Sequence, residues 1–392
     1  MQLTTYLQHA IMKYISTYLL FLSFFFTVES FAQMVQTENG LRSSYTGHSN
    51  HKIVQVEPVK GKKVKNVILM IGDGMGLTQL STAYVANKGK LNILDNATHT
   101  GLSKTYSANK LITDSGASGT AMATGQKTNY HSIGVDTQGN ALQSLTDLAN
   151  NKGLSTGVVV TCGLTDATPA AFCANNIDRD REEEIALDYL HCDVDFIFGG
   201  GRTKFNQRSD KRDLMQEMQQ KGYQVCYSWQ ETKLAQMGKV FAVIEDGQLP
   251  LADERGDLFN KAILKALENL SANKKGFFTL FEGSRIDDCG HWNKVSQLIP
   301  EINDFDQSVG EVLQWAEQDG KTLVVILADH ETGALTLTDG NLSKGEVTVN
   351  FANTSHSDIM VPVYSYGPQS ELFSGVMDNT DIFNKIKSIL KL

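Results

Sequence analysis

Residues 64–76, Val-Lys-Asn-Val-Ile-Leu-Met-Ile-Gly-Asp-Gly-Met-Gly, set the frame for the whole chain. Val64–Ile71 (VKNVILMI) is a nearly continuous apolar run, the pattern of a strand buried on both faces rather than one. It stops at Gly72-Asp73-Gly74-Met75-Gly76, and Leu77–Asn87 then reads as a helix. The same unit recurs. Ser155–Thr161 runs into Asp166-Ala167-Thr168-Pro169-Ala170, and Gly276–Phe281 into Glu282-Gly283-Ser284-Arg285-Ile286-Asp287. Thr322–Leu327 runs into Ala328-Asp329-His330, while Val194–Phe198 and Ile359–Tyr366 read as further strands. Helices are expected at Ala141–Lys152, Arg181–Leu190, Lys211–Lys221, Leu258–Asn269, Glu301–Gln318 and Asp381–Leu392. Strands alternating with helices predict an α/β fold, a largely parallel central sheet covered by helices on both faces. Between His330 and His356 there is room only for a small hairpin or lid.

Open sheets of this kind gather their sites beyond the carboxyl ends of the strands. Asp73, Asp166 with Thr168, Glu282 with Asp287, and Asp329 with His330 are therefore expected along one edge. A single strand-end aspartate is ordinary turn chemistry; four such ends with histidines added are not. Asp287 and His291 stand four apart, on one face of a helical turn, where a carboxylate and an imidazole can share a metal. Asp329-His330 offers a second such pair, and His356 can complete a set. Carboxylate and imidazole without thiolate suit zinc, and oxygen-only ligands suit magnesium. His99, His131 and His191 are read as surface histidines.

Thr113-Asp114-Ser115-Gly116-Ala117 opens a run of small residues. Asp114 or Ser115 can cap a helix here, and an unobstructed serine at a helix start, among amides that attract anions, can be a nucleophile.

The 392-residue chain carries a formal net charge of −9, which argues against a nucleic-acid-binding face. Lys60, Lys62, Lys63 and Lys65 form a local basic cluster, read as a solvated linker before a strand. Tyr18–Val28 is apolar, follows Lys13, and precedes small residues at Ser30 and Ala32. This is the pattern of a secretory signal peptide over residues 1–32, with an uncleaved anchor as the alternative and Met12 the more typical start. No second apolar run is long enough to span a membrane. Residues 33–63 are expected to form a loose N-terminal arm, and residues 64–392 one catalytic domain. The five cysteines, Cys162, Cys173, Cys192, Cys226 and Cys289, include no CxxC pair, and their odd number leaves at least one thiol free or paired between chains.

Taken in order, these motifs resemble the alkaline phosphatase family: Ile71–Gly76, Thr113-Asp114-Ser115, Asp166–Ala170, Glu282-Gly283 with Ile286-Asp287 and His291, and Ala328–Gly333. The resemblance spans most of residues 64–368. It implies a Ser115 nucleophile, and two zinc ions, one held by Asp73, Asp329 and His330, the other by Asp287, His291 and His356. It also implies a magnesium held by Asp73, Thr168 and Glu282. Arg179, thirteen residues after Asp166, stands where the family places its phosphate-binding arginine, with Asp114 and Asp166 beside it. The implied activity is hydrolysis of small phosphate monoesters at alkaline pH through a phosphoserine. A homodimer, exported to the periplasm or beyond, is implied as well. The competing readings are a phosphodiesterase, mutase or sulfatase relative on the same scaffold, and an inactive exported phosphate- or metal-binding protein. Asp288 departs from the family, whose members commonly carry Lys, His or Trp there. It is expected either to turn to solvent or to lie in the substrate pocket and weaken phosphate binding.

Overall fold

In a computed structural model, which describes residues 34–37, 40–47, 51–59, 61 and 63–392, the first apolar run forms the strand Asn66–Gly72. It is the fifth of ten strands in one sheet. From edge to edge the order is Gly375–Asp378, His99–Lys104, Val361–Tyr366, Thr322–Leu327, Asn66–Gly72, Phe277–Gly283, Ser155–Gly163, Phe196–Gly200, Val240–Val243 and Gln224–Cys226. Only Val361–Tyr366 runs against the others. The largely parallel α/β sheet expected from the apolar runs is thus the one that forms.

The reason those runs are continuous is visible along Asn66–Gly72, where every residue is buried. Ile68 and Met70 point into one apolar cluster with the helices Leu77–Ala86, Leu258–Ser271 and Val295–Asp319. Val67, Leu69 and Ile71 point into another with Ser115–Thr124, Leu145–Lys152, Ala167–Cys173 and Asn379–Leu390. A strand between two helical layers has no polar face to present.

Several boundaries differ from expectation for local reasons. The helix expected from Ala141 begins only at Leu145, because Ser144 and Asp147 form a reciprocal capping box there. The helix expected from Glu301 begins earlier, at Val295, and passes through Pro300, which forgoes one hydrogen bond near the helix start without stopping it. The arm over residues 33–63 is not loose throughout. Gly40–Thr46 pairs antiparallel with Glu346–Phe351, in register Leu41 with Phe351 and Thr46 with Glu346. With Met34–Thr37 and Leu335–Asn341 they make a four-stranded sheet. The small hairpin expected between His330 and His356 is therefore present, and the arm covers its open edge. Further along, Val54 is buried and its amide donates to Asn92 Oδ1 at 2.9 Å. All five cysteines are buried and free. The signal-peptide reading of residues 1–32 lies outside the described residues, and among the described residues no helix is long and apolar enough to cross a membrane.

Candidate active site

Four loops at the carboxyl edge carry the chemistry. The turn after Asn66–Gly72 presents Asp73, and Gly74 follows it in the left-handed region at φ +69°. A Cβ at Gly74 would lie 2.7 Å from Thr332 Oγ1 and 2.8 Å from Asp287 Oδ1. Glycine is therefore required here twice, for the turn and for the approach of the Asp287 loop to Asp73. The amide of Gly74 donates to Asp329 Oδ1 at 3.1 Å, tying the first loop to the loop after Thr322–Leu327.

Asp114 caps the helix Ser115–Thr124, and its carboxylate accepts from the amides of Gly116 and Ala117. Ser115 is the first helical residue. The cap reading of this stretch falls to Asp114, which leaves the Ser115 side chain free of that role. The expectation that the helix amides face an anion does not hold for these two, since Asp114 takes them. Ser115 is 4 % exposed, and its Oγ lies 3.2 Å from His330 Nε2. The same helix is anchored from below by Ser118, whose hydroxyl donates to the Asp329 carbonyl at 2.8 Å.

Arg179 reaches the site from the segment after the Ala167–Cys173 helix. Its Nη1 donates to Asp114 Oδ2 and its Nη2 to Asp166 Oδ1, both at 3.0 Å. Burial opposes its charge, but the Asp166 and Asp114 carboxylates outweigh that and hold its pKa above the ordinary arginine value. Asp114 would be raised by its own burial, yet the neighbouring guanidinium pulls it below the usual carboxylate range.

The remaining groups divide into two halves. On one side, Asp73 Oδ1, Asp329 Oδ2, Glu282 Oε1 and Thr168 Oγ1 are buried atoms with no hydrogen-bond partner. Burial first, then the Asp329, Asp287 and Glu282 carboxylates, push Asp73 far above its usual pKa. Burial and Asp166 do the same to Glu282, and burial with Asp287 raises Asp329 to about 6. On the other side the groups satisfy one another. His291 Nε2 lies 3.1 Å from Asp287 Oδ2 and 3.1 Å from His356 Nε2. Thr332 Oγ1 donates to Asp287 Oδ1. The backbone carbonyls of Thr354 and Thr113 orient His291 and His356 through their Nδ1 atoms, at 2.7 and 2.8 Å. The hydrogen bond to Asp287 raises His291 to about 9, and despite its burial Asp287 itself is held well below the usual range by His291 and the other two imidazoles. His330 sits between the halves, its ring stacked 3.6 Å from that of His356, and burial drives its pKa down.

Among the described residues, three groups of side chains bring ligand atoms within 4.8 Å of one another: Asp73, Asp329 and His330; Asp287, His330 and His356; and His131, Asp178 and Asp180. The first two are the sets legible in the sequence, except that His330 replaces His291 in the second. The 3.1 Å contacts of His291 bring it to the same place. The third adjoins the site through the His131 amide, which donates to Asp114 Oδ1 at 3.0 Å, while the His131 side chain is 40 % exposed, in keeping with the surface reading. The oxygens beside the first set fit a cation: among the described residues they accept no side-chain hydrogen bond, and His330 Nε2, 3.1 Å from Asp329 Oδ2 and 3.5 Å from Asp73 Oδ1, brings little counter-charge because burial disfavours its protonated form.

Sequence reading misses Thr332, Gln79, Glu331 and Arg285. Gln79 Nε2 donates to Glu331 Oε1 at 2.6 Å and to the Thr332 carbonyl at 2.7 Å, holding the segment that follows His330. For Glu331-Thr332 the signal is their place next to His330 in the motif; Gln79 has none. Asp288 neither turns free to solvent nor stands alone in the pocket. It forms an ion pair with Arg285 Nε, at 2.5 Å, on the same helical turn.

An alkaline phosphatase family model matches residues 64–350. "Alkaline phosphatase 4" of Bacillus subtilis is 32 % identical over 431 residues, covering 87 % of this chain and 93 % of that one. The Escherichia coli alkaline phosphatase is 29 % identical over 414 residues, covering 86 % and 88 %. Among solved structures, the alkaline phosphatase of the Antarctic bacterium TAB5 superposes with a TM-score of 0.80 at 38 % identity, over 84 % of this chain and 99 % of that one.

Proposed function

Since the chain belongs to the alkaline phosphatase family and is a phosphate-monoester hydrolase, we propose that Ser115 is its nucleophile and that the reaction passes through a phosphoserine. The observation that carries this reading is the convergence on one buried hydroxyl: Ser115 Oγ faces His330, and the unpartnered oxygens of Asp73 and Asp329 belong to the same ligand cluster as His330.

Asp73, Asp329 and His330 would hold one zinc ion, and Asp287, His291 and His356 a second. Asp73, Thr168 and Glu282 would hold a magnesium ion. Bound there, such ions lower the pKa of a serine hydroxyl, stabilise a leaving alkoxide and supply hydroxide for the second step. The chain's own part follows from its geometry. Ser115 Oγ attacks phosphorus in line, and the bond to the leaving alcohol breaks. Arg179 has one N–H of each Nη committed to Asp114 and Asp166, which fixes the plane of the fork. The second N–H of each is left for two equatorial phosphate oxygens. Asp114 thereby positions two groups at once, capping the Ser115 helix and aiming the arginine. Water then cleaves the phosphoserine in a second in-line step, so configuration at phosphorus is retained.

Metal analysis with turnover of a monoester and a diester, side by side, tests the proposal. Zinc and magnesium bound, a preference for the monoester and loss of activity in Ser115→Ala support it. A diester preference assigns the chain to another chemistry of the superfamily. Lack of turnover with metals bound indicates a binding protein.

The reading extends to an exported homodimer. The Tyr18–Val28 run after Lys13 supports export, and N-terminal sequencing of the mature protein should begin near Gln33. The dimer is a proposal that rests on family resemblance alone, and a monomer by sedimentation at micromolar concentration would count against it.

A further inference from the structure

We infer that a lysine-lined cavity at the amino-terminal edge of the ten-stranded sheet binds a compact, multiply phosphorylated solute. The cavity measures ≈ 440 Å³ and is lined by Lys63, Lys65, Lys274, Lys275 and Lys391, with no acidic side chain in its wall. That concentration of positive charge sits on a chain whose net charge is −9.

The lysines come from three separate segments. Lys63 and Lys65 precede the strand Asn66–Gly72. Lys274 and Lys275 lie in the turn before Phe277–Gly283, which is fixed by Asn273: its Oδ1 accepts from the Lys275 amide at 2.9 Å and its Nδ2 donates to the Gly153 carbonyl at 3.0 Å. Lys391 follows the last helix, and its carbonyl accepts from Lys152 Nζ at 2.9 Å. A solvated linker, the sequence reading of the basic run at Lys60–Lys65, requires no matching lysines from two other segments. Among the described residues none of the five makes an ion pair, and what sets them apart from other unpaired surface lysines is that they converge on one cavity. Like charges placed together without counter-charge repel, and a polyanion relieves that repulsion at several points at once. The carbonyl end of the last helix would oppose an anion; Lys152 and Lys391 offset it.

The apolar part of the wall argues for a solute rather than a bilayer. Leu154 and Ile389 are each 9 % exposed and form the floor, while Val64 and Leu390 are half-buried and pack against the core, so none of the four stands out fully exposed to insert into lipid. The cavity is also remote from the carboxyl edge. The seven residues of Asn66–Gly72 alone span about 23 Å, so an occupant does not touch Ser115.

The test uses the full, metal-loaded protein with its active site saturated by micromolar vanadate, titrated with tripolyphosphate. One binding site is expected, weakening steeply with added salt. Lys274 and Lys275 are exposed, so Lys274→Ala/Lys275→Ala should fold; it should bind at least about tenfold more weakly, with turnover of a small aryl phosphate unchanged. Lys63→Ala, from a different segment, should weaken binding too. Equal affinity in the variants, or loss of binding on adding vanadate, overturns the inference. So does lysine-dependent sedimentation with phosphatidylglycerol–phosphatidylcholine vesicles that tripolyphosphate does not compete away, which makes the surface a membrane contact.

Discussion

Arg255, Glu301 and Asp304 are buried about as deeply as Asp73, Glu282 and Asp329, yet the two clusters are satisfied from different sources. Arg255 donates to Glu301 Oε2 at 2.7 Å, to Asp304 Oδ2 at 2.6 Å and to the Pro250 carbonyl at 2.6 Å, and Ala252 N–H donates to Glu301 Oε1 at 2.7 Å. None of these atoms is left without a partner, whereas Asp73, Glu282 and Asp329 each keep one buried oxygen that accepts no hydrogen bond and meets no Lys or Arg, with the imidazole of His330 beside those of Asp73 and Asp329. The first cluster fastens the segment around Ala252 to the long Val295–Asp319 helix and needs nothing from outside. The second leaves those oxygens to be served from outside, and a cation fits them. Depth of burial therefore does not separate structural from functional charge; the source of the counter-charge does.

The largest effect expected from this contrast is on activity. Ser115→Ala in the metal-loaded protein should lower turnover by at least ~10³-fold, and chelation should abolish it, with a fall in melting temperature in a sample shown to be metal-free. Substitutions in the Arg255 cluster should not alter metal content. Next in size, Arg255→Ala leaves two buried carboxylates without their cation and should cost about 3–5 kcal/mol of stability. Denaturant unfolding and elemental analysis of the same sample check both halves of that statement. A variant that loses zinc in proportion to stability would erase the distinction between the clusters.

The pH dependence of the metal-free protein sharpens it further. A carboxyl whose folded-state pKa is raised holds its proton more tightly folded than unfolded, so stability falls as pH rises from about 3.8 through the folded value. Asp329, raised to about 6, and Asp73 and Glu282, raised further, all act in this direction. His291, raised to about 9 from 6.5, contributes stability that is complete below 6.5 and lost through 9, which adds to the trend. Asp287, depressed, loses its contribution only in strong acid, and His330, lowered by burial, acts in the opposite sense only below 6.5, where the unfolded chain would protonate it. The metal-free protein should therefore melt lower at pH 8 than at pH 5 by a few degrees, ~2–4 °C. The gap to the metal-loaded protein should widen over the same interval, and Asp73→Asn should flatten the metal-free slope. A flat profile in the metal-free wild type would mean the orphaned oxygens carry no repulsion.

Much of this architecture is legible in the amino-acid sequence, and the reason is physical. Asn66–Gly72, Phe277–Gly283 and Thr322–Leu327 are buried on both faces, so their sequences are mostly apolar with no alternation, and each runs into an acidic residue, Asp73, Glu282 or Asp329. The ligand pairs share a turn or adjoin in sequence, as Asp287 with His291 and Asp329 with His330 do. What escapes is held by pairing rather than composition. His99–Lys104 alternates between buried and partly exposed residues, and Gly375–Asp378 is a short strand at the sheet edge; neither has a continuous apolar run. Gly40–Thr46 is polar, and is a strand because Glu346–Phe351 offers it an edge. Likewise Gln79 serves the site through Glu331, 252 residues away, a relation that no local spacing encodes.

Asp288 tests the contrast at its weakest point, because it is a carboxylate of the site that does have a partner within the chain. Its side chain is 28 % exposed and Arg285 is 13 % exposed, so the pair is partly wet. Burial raises the Asp288 pKa, Arg285 lowers it, and the charges of Asp287 and Asp166 raise it again. Its field therefore reaches Asp166, which Arg179 also contacts. If Arg285 fully masks that field, Asp288 belongs with Glu301 and Asp304, and its loss changes stability alone. If the masking is partial, a dianion arriving beside Asp166 meets residual repulsion. Partial masking is expected, since an ion pair is a dipole whose nearer charge dominates at short range. Asp288→Asn keeps the shape and removes the charge. It should tighten inhibition by inorganic phosphate by about two- to fivefold, the equivalent of ~0.5–1 kcal/mol, with less effect at high salt. The measurement is the inhibition constant of both proteins under matched zinc and magnesium, at two ionic strengths. An unchanged constant together with a lowered melting temperature would place Asp288 with the self-satisfied charges, as the fastener of Arg285.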